Sequence, residues 1–371
     1  MSRPILPMLF FGVALALAWP RLQPLSEPRF AETSFADSKP LSGNGGDSEL
    51  LPRFGASAHA VTLAQGGDGK LIAAWFSGSH EGAEDVAIVA STLSDGIWSN
   101  PRVIADPHSV ERDSHRIVRK LGNPMLWRDP QNMLHLWFVS VSYGGWAGSS
   151  INHMESIDNG HRWSASERII TSPFWNLSTL VRNPPVALAD GGMALPAYHE
   201  FLGKRPEWLR FDAQMMLVDK ARVPDSARTL QPAAVALDGK ESVMLLRDAG
   251  PAHHLYSSSS SDAGASWTPV VATAIENPNS AIAMIRLTDG SVLLACNPQS
   301  ANRNRLVLMR SIDKGVHWST PYNIEQGTAN DEFSYPALLQ DDVGEVHLAY
   351  TWKRETIKHR VLSSAVIKEL H

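Results

Sequence analysis

The chain has 371 residues, 43% hydrophobic and 19% charged, which allows a large core and excludes global disorder. Its 33 basic and 38 acidic residues give a net charge of −5 with no basic run, which argues against nucleic acid as a partner. The single cysteine, Cys296, excludes an internal disulfide and a cysteine-based metal cluster, and the apolar run before it (292–295) reads as the setting of a buried, inert thiol.

Arg3 and the apolar run over 5–19 open the chain. The run has the length of a signal h-region and is short for a spanning helix. Ala16-Leu17-Ala18 offers a small-x-small cleavage site, although Trp19 and Pro20 follow it unfavourably. Residues 1–18 therefore read as a signal peptide or a membrane anchor. The protein is expected to be exported, to the periplasm or the cell exterior, with a membrane tether if cleavage fails. Residues 19–50, rich in Pro, Ser, Gly and Asp, read as a linker, and 51–371 as one domain.

Two series of repeats organise that domain. The pattern S-x-D-x-G-x-x-W occurs at Ser156–Trp163, Ser260–Trp267 and Ser311–Trp318, with a shortened relative ending at Trp98. Its Ser and Asp oxygens can bond loop N–H groups, its Gly takes a positive φ, and its Trp covers the turn. The steps from Trp98 are 65, 104 and 51 residues, so one copy has decayed between Trp163 and Trp267. Independently, hairpin turns stand at Asp68-Gly69, Asp129-Pro130, Asp190-Gly191, Asp238-Gly239, Asp289-Gly290 and Asp342-Val343-Gly344. Each follows one apolar run (59–63, 124–127, 185–188, 232–237, 281–287, 335–339) and precedes another (71–76, 134–141, 193–198, 242–246, 292–296, 346–352). Six units of about 50 residues with about four strands each fit an all-β, six-bladed β-propeller. The sixth unit ends near Ser363 after three strands, so a segment around 48–54 is expected to supply the missing outer strand and remove an open edge.

The repeated turns resemble the Asp boxes of sialidases and related BNR-repeat proteins. Further segments extend the likeness: Ser57-Ala-His59-Ala, Ala74-Trp-Phe-Ser-Gly78-Ser-His80-Glu81-Gly82, Gly122-Asn-Pro124, Asn277-Pro-Asn-Ser280, Ser334-Tyr-Pro336 and Tyr350-Thr-Trp-Lys-Arg354. Over roughly 50–365 the chain is similar to the bacterial family often labelled predicted neuraminidase. That resemblance implies the sialidase type of propeller.

Topology converts the repeats into a site. The hairpins and the S-x-D-x-G-x-x-W turns lie on one face of the ring, so the entries to first strands and the exits from second strands surround the central funnel on the other. The entries offer His59, Asn123, Arg182, Gln231, Asn279 and Tyr335, and the exits Glu81, Tyr143, Glu200, Arg247, Asn297 and Arg354, with Asp85 close by. Arg182 and Arg247 adjoin apolar strands, where a cation needs a protein or ligand carboxylate. Asn123, Gln231, Asn279 and Asn297 suit contacts or loop braces. No H-E-x-x-H, P-loop or paired metal-ligand spacing occurs, so neither a metal nor another cofactor is expected.

The resemblance also implies a mechanism. Sialidases hold a sugar carboxylate with three arginines and use a Tyr nucleophile helped by a Glu, with an Asp acid/base. Carried onto this sequence, Arg182, Arg247 and either Arg305 or Arg354 would bind the substrate. Tyr335 would be the nucleophile, helped by Glu200 or Glu332, and Asp85 or Glu81 the acid/base. Asn123, Gln231, Asn279 and Asn297 would add binding contacts, and His59 joins the catalytic set. The R-I-P segment that usually supplies the first sialidase arginine is absent, and Pro336 follows Tyr335. The expected activity is exo-hydrolysis of terminal anionic sugars on glycans or polysaccharides. The alternatives are a lyase or hydrolase of another uronate-containing glycan, and a non-catalytic glycan-binding propeller.

Overall fold

The computed structural model describes residues 27–31, 41–43, 45–46, 48–172 and 176–370. The segment 1–18, read as a signal peptide or anchor, lies outside them. Six antiparallel sheets follow one another along the chain. Their second strands are Leu71–Gly78, Leu134–Val141, Met193–His199, Ser242–Asp248, Val292–Cys296 and Val346–Trp352. The fold is a six-bladed β-propeller.

The hydrophobic pattern explains why the sheets close into a ring. Side chains of a strand alternate between its two faces, and here both faces are apolar. In the first blade Ile72, Ala74 and Phe76 pack with Leu134, Leu136 and Phe138 of the second blade. The intervening Ala73 and Trp75 pack with Ala337, Ala349 and Ile357 of the sixth. In the second blade Trp137 and Val139 turn the other way, toward Leu195 and Leu209 of the third. Among the described residues each of the six spaces between neighbouring blades holds one such cluster.

The ring is completed by the chain ahead of the first blade. Glu49 and Leu50 pair with His359 and Lys358 as the outer strand of the last sheet, within the segment expected to do so. Leu51 then donates its N–H to the Ile357 carbonyl at 2.9 Å and is buried among Trp98, Ala349 and Ile357. Part of the stretch read as a linker is also docked: Phe30 pairs with Leu188 and is buried against Trp208.

The S-x-D-x-G-x-x-W turns are built alike. Ser156, Ser260 and Ser311 each accept from the backbone N–H of the following Gly at 2.8–2.9 Å and donate to the following Asp. Those Asp residues accept the N–H groups of Arg162, Ser266 and His317. At Gly264 the φ of +82° and the space both require glycine, because a Cβ would lie 2.2 Å from the Trp208 indole nitrogen. Trp163, Trp267 and Trp318 each close the cluster shared with the preceding blade. In the third blade, where the repeat has decayed, the turn is a plain hairpin in which Asp212 accepts the N–H groups of Gln214 and Met216.

Among the described residues, two short α-helices and the 3-10 turn Gly145–Gly148 accompany the strands. The helix Pro107–Ser114 begins with a reciprocal cap between Asp106 and Ser109. Its Asp113 accepts the Ser166 N–H, fixing it to the second blade. The helix Ser364–Glu369 follows the last strand.

Because the closing segment buries Leu51 between the first and last blades, Leu51→Ala is expected to cost about 2–5 kcal/mol. Urea denaturation should show a lower midpoint at an unchanged slope. A wild-type midpoint would mean that this segment does not stabilise the ring.

Candidate functional site

Four of the six innermost strands carry an irregularity where they meet the funnel. Their ladders shift register between His59 and Thr62, Gly122 and Met125, Leu230 and Ala233, and Ser334 and Ala337. Within those bulges Ala60, Asn123, Gln231 and Tyr335 have φ of 58°, 45°, 49° and 51°. Asn279, ahead of the fifth blade's first strand, has φ 56°. A bulge of this kind re-aims a side chain, and a positive φ on a residue as bulky as Tyr is a true outlier. Proline follows Asn123, Gln231 and Tyr335. Lacking an N–H, it leaves no donor unpaired where the ladder breaks. Pro336 therefore belongs to a device shared by three blades.

Tyr335 stands at the centre of the resulting cluster. Its hydroxyl oxygen accepts from Arg247 Nη1 at 2.8 Å and from Gln231 Nε2 at 3.5 Å. The Gln231 amide is oriented by Arg247, whose Nη1 also donates to Gln231 Oε1 at 2.7 Å. Arg182, Arg303 and Arg247 hold their guanidinium carbons 5.3, 5.5 and 5.9 Å from the Tyr335 ring centre. His59 packs on the same ring at 4.1 Å. Burial raises the Tyr335 phenol, but Arg247 and Arg303 outweigh it and leave the phenol below its ordinary range. Tyr198 goes the other way. Burial, then Glu200, push its phenol up, and its oxygen accepts from Asn123 at 3.0 Å.

The arginines differ in what they touch. Arg182 is almost wholly buried and donates to the carbonyls of Val61, Tyr335 and Pro336, so it braces three blades beneath the tyrosine. Asn279 positions two others. Its side-chain oxygen accepts from Arg247 Nε at 2.6 Å and its carbonyl from Arg303 Nη2 at 2.8 Å. Glu332 links Arg303 to Arg354, with N···O distances of 3.1 and 2.6 Å, and also accepts from Ser334. Burial raises the Glu332 carboxyl, and the Arg354 and Ser334 bonds more than reverse this. Arg354 also pairs with Glu81 at the exposed rim.

The remaining predicted residues fall around this centre. His59 is fully buried with Nδ1 3.0 Å from Thr351 Oγ1; burial, then Arg354 and Arg303, keep it well below the usual histidine range and neutral. Asp85 accepts the N–H and hydroxyl of Ser79, both at 2.9 Å, and shapes an exposed loop. Asn297 is fully buried and braces the carbonyls of Arg305 and Phe333. Arg305 lies on the strand Arg305–Ser311 with Nε on Asn323, whereas Arg303, two positions earlier in the loop, reaches Tyr335. Glu200 is half-buried, and burial raises its carboxyl despite Lys204 and Arg247. Burial also pushes the Cys296 thiol up to about 12. A groove of about 1030 Å³ lies elsewhere, between the outer parts of the fourth and fifth blades. Ser, Thr and apolar side chains dominate its lining.

A hydroxyl that receives two donors thus lies beside the guanidinium groups of Arg182, Arg247 and Arg303, on the funnel face of a six-bladed propeller. The chain belongs to the BNR repeat-like domain family, whose model matches residues 69–348. Its fold is shared with glycoside hydrolases. The Hadza microbial sialidase Hz136 superposes with a TM-score of 0.70 at 16% identity, over 84% of this chain and 66% of that one. The NanB sialidase from Streptococcus pneumoniae gives 0.69 at 12% identity, over 88% and 71%. The Penicillium chrysogenum α-L-arabinanase, solved with arabinobiose, gives 0.63 at 14% identity, over 88% and 100%. No curated protein matches the chain.

One of the six tyrosines should ionise below the ordinary phenol value of about 10. Near-ultraviolet pH titration should show this component, Tyr335→Phe should remove it, and Arg247→Gln should move it upward. If no tyrosine titrates early, the electrostatic account of Tyr335 is wrong.

Proposed function

We propose that the protein is an exported, exo-acting glycoside hydrolase of the sialidase type that removes terminal anionic sugars from glycans or polysaccharides. The observation that carries this reading is the Tyr335 hydroxyl. Both its hydrogen bonds come from donors, and among the described residues no carboxylate accepts its proton. Such surroundings favour phenolate.

A sugar carboxylate would enter above Tyr335 and meet Arg247, Arg303 and Arg354. Guanidinium forks suit it because they pair with carboxylates in a bidentate, planar manner. Glu332 and Asn279 hold those forks in place before substrate arrives. Tyr335 would then attack the anomeric carbon as the glycosidic C–O bond breaks. The leaving oxygen needs a proton. Glu200, whose carboxyl is raised by burial, suits a general acid better than Glu81 or Asp85, which are engaged by Arg354 and Ser79. Water would subsequently release the sugar from Tyr335. Exposed Tyr143 on the funnel rim offers a platform for the rest of the glycan.

The same tyrosine favours a second reading. With no carboxylate to take its proton, a phenolate beside neutral His59 also suits removal of the proton next to a uronate carboxylate, the first step of a lyase.

A fluorogenic sialoside and a panel of uronate oligosaccharides, incubated with purified protein, separate the outcomes. Hydrolysis should yield the free terminal sugar, and Tyr335→Phe should abolish it. Glu200→Gln should reduce kcat about 10²–10⁴-fold on natural linkages but far less on an activated aryl glycoside, which needs no acid. Unsaturated uronate products would establish the lyase. Binding without turnover across the panel would establish a glycan-binding propeller.

A further inference from the structure

The second and sixth blades share a side-chain array that the funnel does not use. In the second, Asp129 Oδ2 lies 3.3 Å from His135 Nε2, and His135 Nδ1 lies 3.0 Å from His153 Nε2. In the sixth, the corresponding separations are 3.3 Å for Asp341 and His347, and 3.1 Å for His347 and His359. Both arrays tie the second and third strands to the first hairpin turn, away from the funnel. They differ at the residue opposite the first histidine, and the sixth adds Glu49, 3.4 Å from His359 Nδ1. Glu155 pairs across the ladder with His135, whereas Val361 pairs with His347.

That glutamate changes what the array can do. Its Oε1 lies 3.7 Å from His135 Nδ1 and 3.9 Å from His153 Nε2, too far to accept a hydrogen bond from either. With the 3.0 Å between the nitrogens, these separations bracket the roughly 3.3–3.6 Å edge of a tetrahedron built on bonds of about 2.0–2.2 Å. We propose that His135, His153 and Glu155 form a binding site for a zinc-like divalent transition ion, with water in the fourth position.

The supporting shell is present. Asp129 accepts backbone N–H from Gln131 and Met133 through Oδ1 and faces His135 through Oδ2. A carboxylate there fixes the proton on Nε2 and turns the Nδ1 lone pair toward the ion. Without the ion, the short N···N contact requires a shared proton; binding asks only that His153 carry its proton on the other nitrogen. Trp137 stacks on both imidazoles, 5.3 and 4.7 Å away, and holds their planes. The two histidines are buried, while the Glu155 side chain is 37% exposed and leaves an entry path. In the sixth blade Val361 supplies no ligand at this position, and the ligand atoms that gather there belong to Asp341, Glu345 and His347. There Asp341 is already engaged by the N–H groups of Val343 and Glu345 and by His347.

The test uses the full chain free of any oligohistidine tag, with Co²⁺ as a visible probe and Zn²⁺ as competitor. One equivalent of Co²⁺ should bind with the absorption of a four-coordinate site and be displaced by Zn²⁺. Glu155→Gln should weaken binding at least tenfold, and Glu155→Val, which copies the sixth blade, should abolish it. Both variants should unfold at the wild-type temperature without metal, since Glu155 is at the surface. Asp129→Asn should weaken binding less than loss of a ligand. Absence of stoichiometric Co²⁺, or binding unchanged in Glu155→Val, would overturn the assignment.

Discussion

A propeller blade leaves its innermost strand with no face toward the channel. Side chains of that strand alternate between two neighbouring cores, so a regular strand would present only backbone to the funnel. The bulges at Ala60, Asn123, Gln231 and Tyr335 resolve this conflict. Each inserts residues outside the alternation and turns one of them across the channel. The left-handed conformation costs on the order of 1–3 kcal/mol per non-glycine residue. Interactions between blades offset it: Arg182 binds the Tyr335 and Pro336 carbonyls, and Thr351 accepts from Ala60. The site therefore depends on ring closure, because its partners come from opposite sides of the channel.

Electrostatics follow from that convergence. Four guanidinium groups in one region would repel strongly at low dielectric. Glu332, set between Arg303 and Arg354, and Glu81 at the rim neutralise part of the charge. Arg182 and Arg247 are answered by carbonyls, Gln231, Asn279 and the Tyr335 oxygen instead of a carboxylate. The charge without a carboxylate partner gathers around Tyr335.

The fold was readable because two signals recur with one period. The aspartate turns mark one end of each blade, and near-continuous apolar runs mark strands buried on both faces, as in 71–78 and 134–141. The closing strand Glu49–Leu50 was readable from arithmetic, since the sixth unit lacked a fourth strand. The capped helix Pro107–Ser114 was not, because its polar sequence PHSVERDS has no apolar stripe and its start depends on the Asp106–Ser109 cap. In the site, topology brought His59, Arg247 and Tyr335 to one face, but strand ends alone do not tell a loop side chain from a strand side chain. Arg303 and Arg305 show the consequence: one reaches the tyrosine and the other an outer asparagine. The bulges had a local signal in Asn123-Pro124, Gln231-Pro232 and Tyr335-Pro336, whose common meaning emerges only when the three backbones are compared.

The pairing of Glu49–Leu50 with Thr356–Leu362 has a consequence for how the protein is made. The strand that seals the ring is synthesised before the other strands of the ring and its partner after them, more than 300 residues later. Blades one to five can each form as their own residues emerge, since their strands are neighbours in sequence. The early strand must meanwhile stay unpaired, an exposed edge waiting for a mate. Assembly of the sixth blade is thus the step that converts a string of hairpins into a closed body, and it places the longest-range contact at the end of folding, where loop closure is entropically most demanding.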